Sequence, residues 1–116
     1  MEIERLRTHC LSLRGAAEEY PFGPGTPVFK VAGKIFAILR LDIDPPWLNL
    51  KCHPLHAEVL RAYYPSLRPA YHMNKRHWNT LVLDGSIPDD EIFSMIDDSY
   101  ALVLAALPRR QRALIS

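Results

Sequence analysis

Apolar residues near the amino terminus recur at spacings of three and four, which places them on one face of a helix. These residues are Ile3, Leu6, Cys10 and Leu13. A first helix is therefore predicted at the start of the chain. Gly15 is the residue at which this helix is expected to stop, because glycine readily adopts the backbone conformation that ends helices.

The same spacing predicts two more helices. The second is expected between Pro54 and Pro65, and its apolar stripe consists of Leu55, Val59, Leu60 and Tyr63. The third is preceded by Ser86 and Asp89, which fit a capping box in which a hydroxyl and a carboxylate satisfy free backbone amides. Its apolar face consists of Ile92, Ile96, Tyr100, Val103 and Leu107.

Between the first two helices the pattern changes to the alternation that is typical of β-strands. Residues 28–31 and 35–39 flank a turn with Gly33, which predicts a hairpin with Lys30 and Lys34 beside the turn. Residues 47–52 alternate, so that Leu48, Leu50 and Cys52 share one face and Trp47, Asn49 and Lys51 share the other. A short edge strand at 18–20 and a last strand at 79–83 are also expected.

Three helices and about five or six strands predict an α+β fold, in which the helices pack on a largely antiparallel sheet. The chain has 116 residues, with 48% hydrophobic and 23% charged, so residues 1–116 are expected to form a single domain. Cys10 and Cys52 fall in apolar patterns, which favours buried thiols in a reducing compartment. Neither a signal peptide nor a membrane span is recognisable, so we expect a cytoplasmic protein with no membrane partner.

Most candidate chemistry is excluded by spacing. The histidines and cysteines match no closed zinc pattern, and no metal or cofactor is expected. Cys52 and His53 are neighbours on a strand and point to opposite faces, so they cannot form an activated thiol pair. The turn at residues 23–25 lacks the lysine and hydroxyl of a phosphate-binding loop. The net charge of +1 is too small to steer the whole molecule, so any electrostatic site must be local.

One segment remains, residues 68–79, which we call the basic-aromatic strip. It carries three fixed cations, two histidines and two aromatic residues, and it has no carboxylate. Lysine and arginine neutralise phosphates, and aromatic rings stack on bases, so this mixture suits an anionic ligand that bears an aromatic group. A solvated turn that precedes a core tryptophan is the alternative explanation of the same residues.

The strip is also the centre of a resemblance to the MmcQ/YjbR family. The run Tyr-His-Met-Asn-Lys-Arg-His-Trp-Asn-Thr at 71–80 carries it, with further matches at 20–23, 28–31, 33–34, 50–52, 83–86, 88–89, 96–97 and 99–100. His53 and Ala70 depart from the family pattern, in which Asp and Gly are the usual residues at these two positions. The resemblance implies a fold like that of CyaY and the secretion chaperones. It also implies DNA binding through a double wing of β-hairpins.

Three hypotheses about function follow. The first is DNA binding, with Lys34, Lys75 and Arg76 on phosphates. In this hypothesis His72, Asn74 and Trp78 shape the site or stack on the ligand. The second is a non-catalytic binder of another anionic small molecule or of a protein partner. The third is an enzyme that uses His72 or His77 as an acid or base, which requires a group that orients the ring. The candidate binding residues are Lys34, Arg68, His72, Asn74, Lys75, Arg76, His77 and Trp78.

Overall fold

The structure is a computed structural model, and it describes residues 1–70 and 73–115. The helices are α1 (Ile3–Ser12), α2 (Pro54–Tyr63), α3 (Asp89–Ala106) and α4 (Arg109–Ile115). The strands are β1 (Ala16–Glu19), β2 (Val28–Val31), β3 (Lys34–Arg40), β4 (Trp47–Lys51), β5 (Leu67–Pro69) and β6 (Trp78–Val82). The predicted candidate His72 lies outside the described residues.

The strands form one six-stranded sheet in the order β1-β2-β3-β4-β6-β5, and every neighbouring pair is antiparallel. The predicted α+β class and the antiparallel sheet are therefore confirmed. The predicted hairpin joins β2 and β3 through Ala32 and Gly33, whose φ angles are +50° and +77°. Two central residues with positive φ match the twist of the flanking strands.

One face of the sheet is covered by helices and forms the core. Leu6 and Cys10 of α1 are fully buried, as their spacing predicted. Ile96 of α3 is also fully buried. Ser99 of α3 donates to the carbonyl oxygen of Phe36 at 2.6 Å and accepts from the backbone amide of β4 at 2.8 Å, so α3 is fixed across two strands. The buried hydroxyl of Ser99 thus both donates and accepts a hydrogen bond, and these two bonds compensate for its loss of contact with water.

An ion pair fixes α1 against the edge of the sheet. Arg7 donates to both carboxylate oxygens of Glu18 at 2.9 Å and 2.8 Å, and the Glu18 side chain is only 10% exposed. Burial by itself would raise the pKa of Glu18. Hydrogen bonds from Arg7 and Tyr20 outweigh this effect and lower the pKa below its ordinary value.

Three details of the predicted helices are wrong. The described part of the chain has four helices where three were predicted, because α3 ends before Pro108 and the carbonyl of Pro108 then accepts from the amides of Gln111 and Arg112 in α4. Ser86 does not cap α3; its hydroxyl bonds to Asp84 Oδ1 at 2.6 Å. The predicted apolar stripe of α2 is largely solvent-facing, since Leu55 is 70% exposed and Tyr63 is 74% exposed. Leu60 is the residue of that stripe that packs against the core, and Ala57 is fully buried beside the sheet.

The opposite face of the sheet, which we call the open face, carries Trp47, Asn49 and Lys51 of β4, as the alternation of residues 47–52 predicted. Trp78 pairs directly with Lys51, and Thr80 pairs with Asn49, so these side chains of β6 lie on the same face. Among the described helices, none is long and apolar enough to cross a membrane.

Candidate functional site

The open face forms a groove of about 690 Å³, which we call the arginine groove. It is lined by Phe22, Thr26, Ile35, Ile38, Arg40, Asp42, Trp47, Asn49, Arg68, Ala70, Met73 and Thr80. Strands β3, β4, β5 and β6 supply the floor, and Phe22, Thr26, Ala70 and Met73 supply the walls. The groove is therefore built mainly from rigid sheet positions, which hold side chains in fixed directions.

Two arginines contact the ring of Trp47. The guanidinium carbons of Arg68 and Arg40 lie 5.5 Å and 5.9 Å from the ring centroid, within the range of cation–π attraction. Arg40 also donates to Asp42 at 2.9 Å, and this hydrogen bond lowers the pKa of Asp42 below its ordinary value. Within residues 1–70 and 73–115, Arg68 has no carboxylate partner and is exposed, so its charge is available to a ligand.

The floor of the groove is polar. The hydroxyl of Thr80 donates to Asn49 Oδ1 at 2.6 Å across the β4–β6 pair. With its oxygen engaged in this way, the amide nitrogen of Asn49 retains two donors. The groove therefore combines an apolar ring, guanidinium charge and hydrogen-bonding groups, which is the usual composition of a ligand site.

A second groove of about 540 Å³ adjoins the first, and we call it the lysine groove. It is lined by Gly33, Lys34, Ile35, Lys51, Met73, Trp78, Val103, Ala106, Leu107 and Pro108. Ile35 and Met73 line both grooves, so the two grooves are adjacent and share these side chains. The predicted candidates are thereby divided: Arg68 lines the first groove, and Lys34 and Trp78 line the second.

The middle of the strip is a turn organised by Asn74. Its side-chain oxygen accepts from the backbone amide of Arg76 at 3.0 Å, and its carbonyl accepts from the amides of His77 and Trp78 at 3.1 Å and 2.9 Å. Asn74 thus uses its side chain to build the turn, a common role of asparagine. Lys75 and Arg76 are exposed at the tip of this turn, whereas the backbone of His77 accepts from Cys52 at 2.7 Å.

Sequence reasoning missed the residue that holds this turn in place. Arg61 of α2 donates through Nε to Asn79 Oδ1 at 2.7 Å and through Nη2 to the carbonyl of Lys75. Asn79 is 2% exposed, so its amide depends on partners within the protein. An arginine near the end of a helix gives no signal of this role in the sequence, because the contact exists only once α2 packs beside β6.

Neither the two thiols nor the pair of His9 and Asp97 lines the arginine groove or the lysine groove. Burial raises the pKa of the Cys10 thiol to about 12 and also raises the pKa of Cys52, so both are protonated near neutral pH. His9 contacts Asp97 at 2.7 Å and stacks on Phe93, which joins α1 to α3 on the covered side of the sheet. In the described part of the chain, no cluster of three or more His, Cys, Asp or Glu side chains could hold a metal ion.

Comparison with known proteins identifies the fold as that of a family. A family model described as YjbR matches residues 11–102. The chain belongs to the YjbR family. YjbR of Escherichia coli (strain K12) is 35% identical over 115 residues, which are 99% of this chain and 98% of that protein. YbdF of Escherichia coli O157:H7 is 38% identical over 93 residues, which are 80% of this chain and 76% of that protein.

Solved structures of YjbR-type domains agree with the architecture. The crystal structure of a Deinococcus radiodurans protein has a TM-score of 0.91 at 34% identity and covers 97% of this chain and 86% of its own. A crystal structure of a Pseudomonas syringae protein has a TM-score of 0.76 at 29% identity and covers 88% of this chain and 98% of its own. The predicted family resemblance is confirmed. The YjbR-family relatives are described as uncharacterised, so what the grooves bind must be argued from their own residues.

Proposed function

We propose that this YjbR-family protein binds DNA through the open face of its sheet. The observation that carries the proposal is the contact of Arg40 and Arg68 with the ring of Trp47. All three side chains line the arginine groove of about 690 Å³. A tryptophan with a guanidinium against it offers a surface on which a base stacks, and the guanidinium itself neutralises a phosphate.

The charges around the grooves support a polyanionic ligand. Four cationic side chains line the two grooves: Arg40, Arg68, Lys34 and Lys51. Among the described residues that line the two grooves, the one acidic side chain is that of Asp42. The whole chain has a net charge of +1, so this local excess of cations is larger than composition alone implies. Such clustering raises the local concentration of an anion and lets phosphate contacts release counterions.

The loops beside the grooves extend this cationic surface. Lys34 follows the tight turn of the β2–β3 hairpin and lines the lysine groove. Lys75 and Arg76 stand at the exposed tip of the Asn74 turn, close along the chain to Met73. These side chains contact the phosphates, while the hairpin and the Asn74 turn form two projections that flank the bound DNA.

A DNA titration tests the proposal. Labelled DNA, single-stranded and duplex, is titrated with the protein by fluorescence anisotropy over a series of salt concentrations. Arg68→Ala is expected to weaken binding, because one phosphate contact is lost. The salt slope, which is the steepness with which the logarithm of the binding constant falls with the logarithm of the salt concentration, should decrease by about 1. Arg14→Ala is the matched control, since Arg14 is an exposed arginine in the turn after α1. Absence of DNA binding at low salt would refute the proposal.

A small anionic molecule is the second candidate ligand. The volume of the arginine groove, about 690 Å³, lies within the range of about 300–1,000 Å³ that is usual for small-molecule sites. Isothermal titration with single nucleotides separates this candidate from DNA. Tight nucleotide binding that does not increase with the length of the strand would favour it.

A further inference from the structure

The adjacency of the two grooves bears on the size and form of the ligand. Both are lined by Ile35 and Met73, and together they extend from the Trp47 side of the sheet to the Trp78 side. Each groove therefore contains one tryptophan and two cations: Trp47 has Arg40 and Arg68, and Trp78 has the two lysines of its groove. A ligand in which an aromatic group and a negative charge occur more than once would match these two similar sets of side chains.

The strand register fixes the distance between the two aromatic positions. Trp47 precedes Lys51 by four positions on β4, and Lys51 pairs directly with Trp78 on β6. Four residues of antiparallel strand and one step between strands place the two tryptophan backbones about 14 Å apart. Nucleotides that are stacked as in a duplex strand rise 3.4 Å each, so about four nucleotides span this distance.

The surroundings of the tryptophans favour an unpaired strand. Trp47 and Trp78 are both partly buried in the walls and floor of the grooves. A base reaches such a ring only when its own face is exposed, which is the case in a single strand and not within a duplex. Cations beside each ring then lie where the phosphates of the same nucleotides would pass.

We propose that the ligand is a single strand of nucleic acid that lies across both grooves. One base stacks on Trp47 or on the Arg68 guanidinium that contacts it, and a second base, about four nucleotides away, stacks on Trp78. This inference rests on the proposed DNA-binding function and specifies the form and the minimum length of the nucleic acid. Lys34 and Lys51 neutralise phosphates in the lysine groove.

The test is a length series. Thymidine monophosphate and oligothymidylates of two to eight nucleotides compete against a labelled longer strand, and a duplex of the same length as that strand is titrated in parallel. Affinity is expected to rise at least about tenfold between the two-nucleotide and six-nucleotide strands, because the second stacking contact becomes available. The single strand is expected to bind more tightly than the duplex. Oligouridylates show whether RNA binds in the same way.

Variants identify the second groove as the cause of the length dependence. Trp78→Leu is expected to weaken binding of the six-nucleotide strand about tenfold while the dinucleotide, held in the arginine groove, changes little. Lys34→Ala combined with Lys51→Ala reduces the salt slope by about 1.4 for a single strand. This double variant changes surface side chains, so it provides a result even if Trp78→Leu fails to fold. Arg14→Ala is again the control.

Three results would overturn the inference. Affinity that is the same for the mononucleotide and the six-nucleotide strand would contradict a ligand that spans both grooves. Tighter binding of the duplex would contradict an unpaired strand. An unchanged salt slope in the double lysine variant would remove the lysine groove from the binding path. All three leave DNA binding through Arg68 intact, whereas absence of binding to every nucleic acid would refute the proposed function itself.

Discussion

Replacing Arg61 with alanine should destabilise the fold by releasing the turn of the basic-aromatic strip. The guanidinium donates to Asn79 Oδ1 at 2.7 Å and to the carbonyl of Lys75, and it approaches the carbonyl of Trp78 at 3.5 Å. Arg61→Ala removes these donors together. Asn79 is only 2% exposed, so its side-chain oxygen would then lack a hydrogen-bond donor from either the protein or bulk water.

The expected magnitude follows from these contacts. A hydrogen bond to a charged group contributes about 1.5–3 kcal/mol, and the bond to Asn79 is partly buried, so we take about 2 kcal/mol for it. The exposed contact to Lys75 adds less, about 1 kcal/mol. The free energy of unfolding should therefore fall by about 3 kcal/mol, and the melting temperature should fall by about 12 °C for a domain of this size.

Urea unfolding monitored by tryptophan fluorescence measures this change, because Trp78 directly follows the affected turn and both Trp47 and Trp78 lie on the sheet that unfolds. Asn79→Ala and the double variant complete a thermodynamic cycle, in which a coupling energy above about 1 kcal/mol is expected. Arg14→Ala, which changes an exposed arginine, should alter stability by less than about 0.5 kcal/mol. If Arg61→Ala is equally mild, or if the two substitutions at 61 and 79 are additive, Arg61 does not hold the turn.

Other predictions concern the Arg7–Glu18 ion pair, the two thiols and the β2–β3 hairpin. Glu18→Gln should lower the free energy of unfolding by about 1–2 kcal/mol at neutral pH. Because the pKa of Glu18 is lowered by folding, its contribution is complete above the ordinary pKa of a glutamate and is lost as the pH falls through the lower folded value, so the two proteins should converge in acid unfolding curves. Cys10 and Cys52 should react with a thiol reagent much more slowly in the native protein than in urea, and rapid native labelling would contradict their burial. Ala32→Asn should raise stability by about 0.5–1 kcal/mol in thermal unfolding, since asparagine tolerates the positive φ of this turn better than alanine; a loss of stability would argue against that turn geometry.

Local periodicity predicted the buried faces of α1 and β4, where the spacing of Leu6 and Cys10 and the alternation of Leu48 and Leu50 mark the residues that pack in the core. The same kind of pattern failed for α2, whose predicted stripe is largely exposed. The break between α3 and α4 at Pro108 was missed, although proline is a known signal, because the apolar stripe and the arginines after it continue the helical pattern.

The candidate site was harder to predict, because its main contacts join residues that are distant in sequence. Arg68 was recognised from composition, but Trp47 and Arg40 belong to other strands, and their contact depends on the register of the sheet. Asn74 was expected near a ligand, and the structure shows its side chain engaged in the turn. Charge and ring type can be read from a sequence; which strands become neighbours cannot be read from local patterns alone.

The two edges of the sheet also restrict how copies of the chain can meet. An unpaired strand edge is a template for another strand, and long apolar edges lead to aggregation. At one edge β1 carries Glu18 and Glu19, and at the other β5 has only three residues and ends in Pro69, which has no amide hydrogen to donate. Polymerisation by strand addition is therefore disfavoured at both ends, so copies of the chain are not expected to join into one extended sheet.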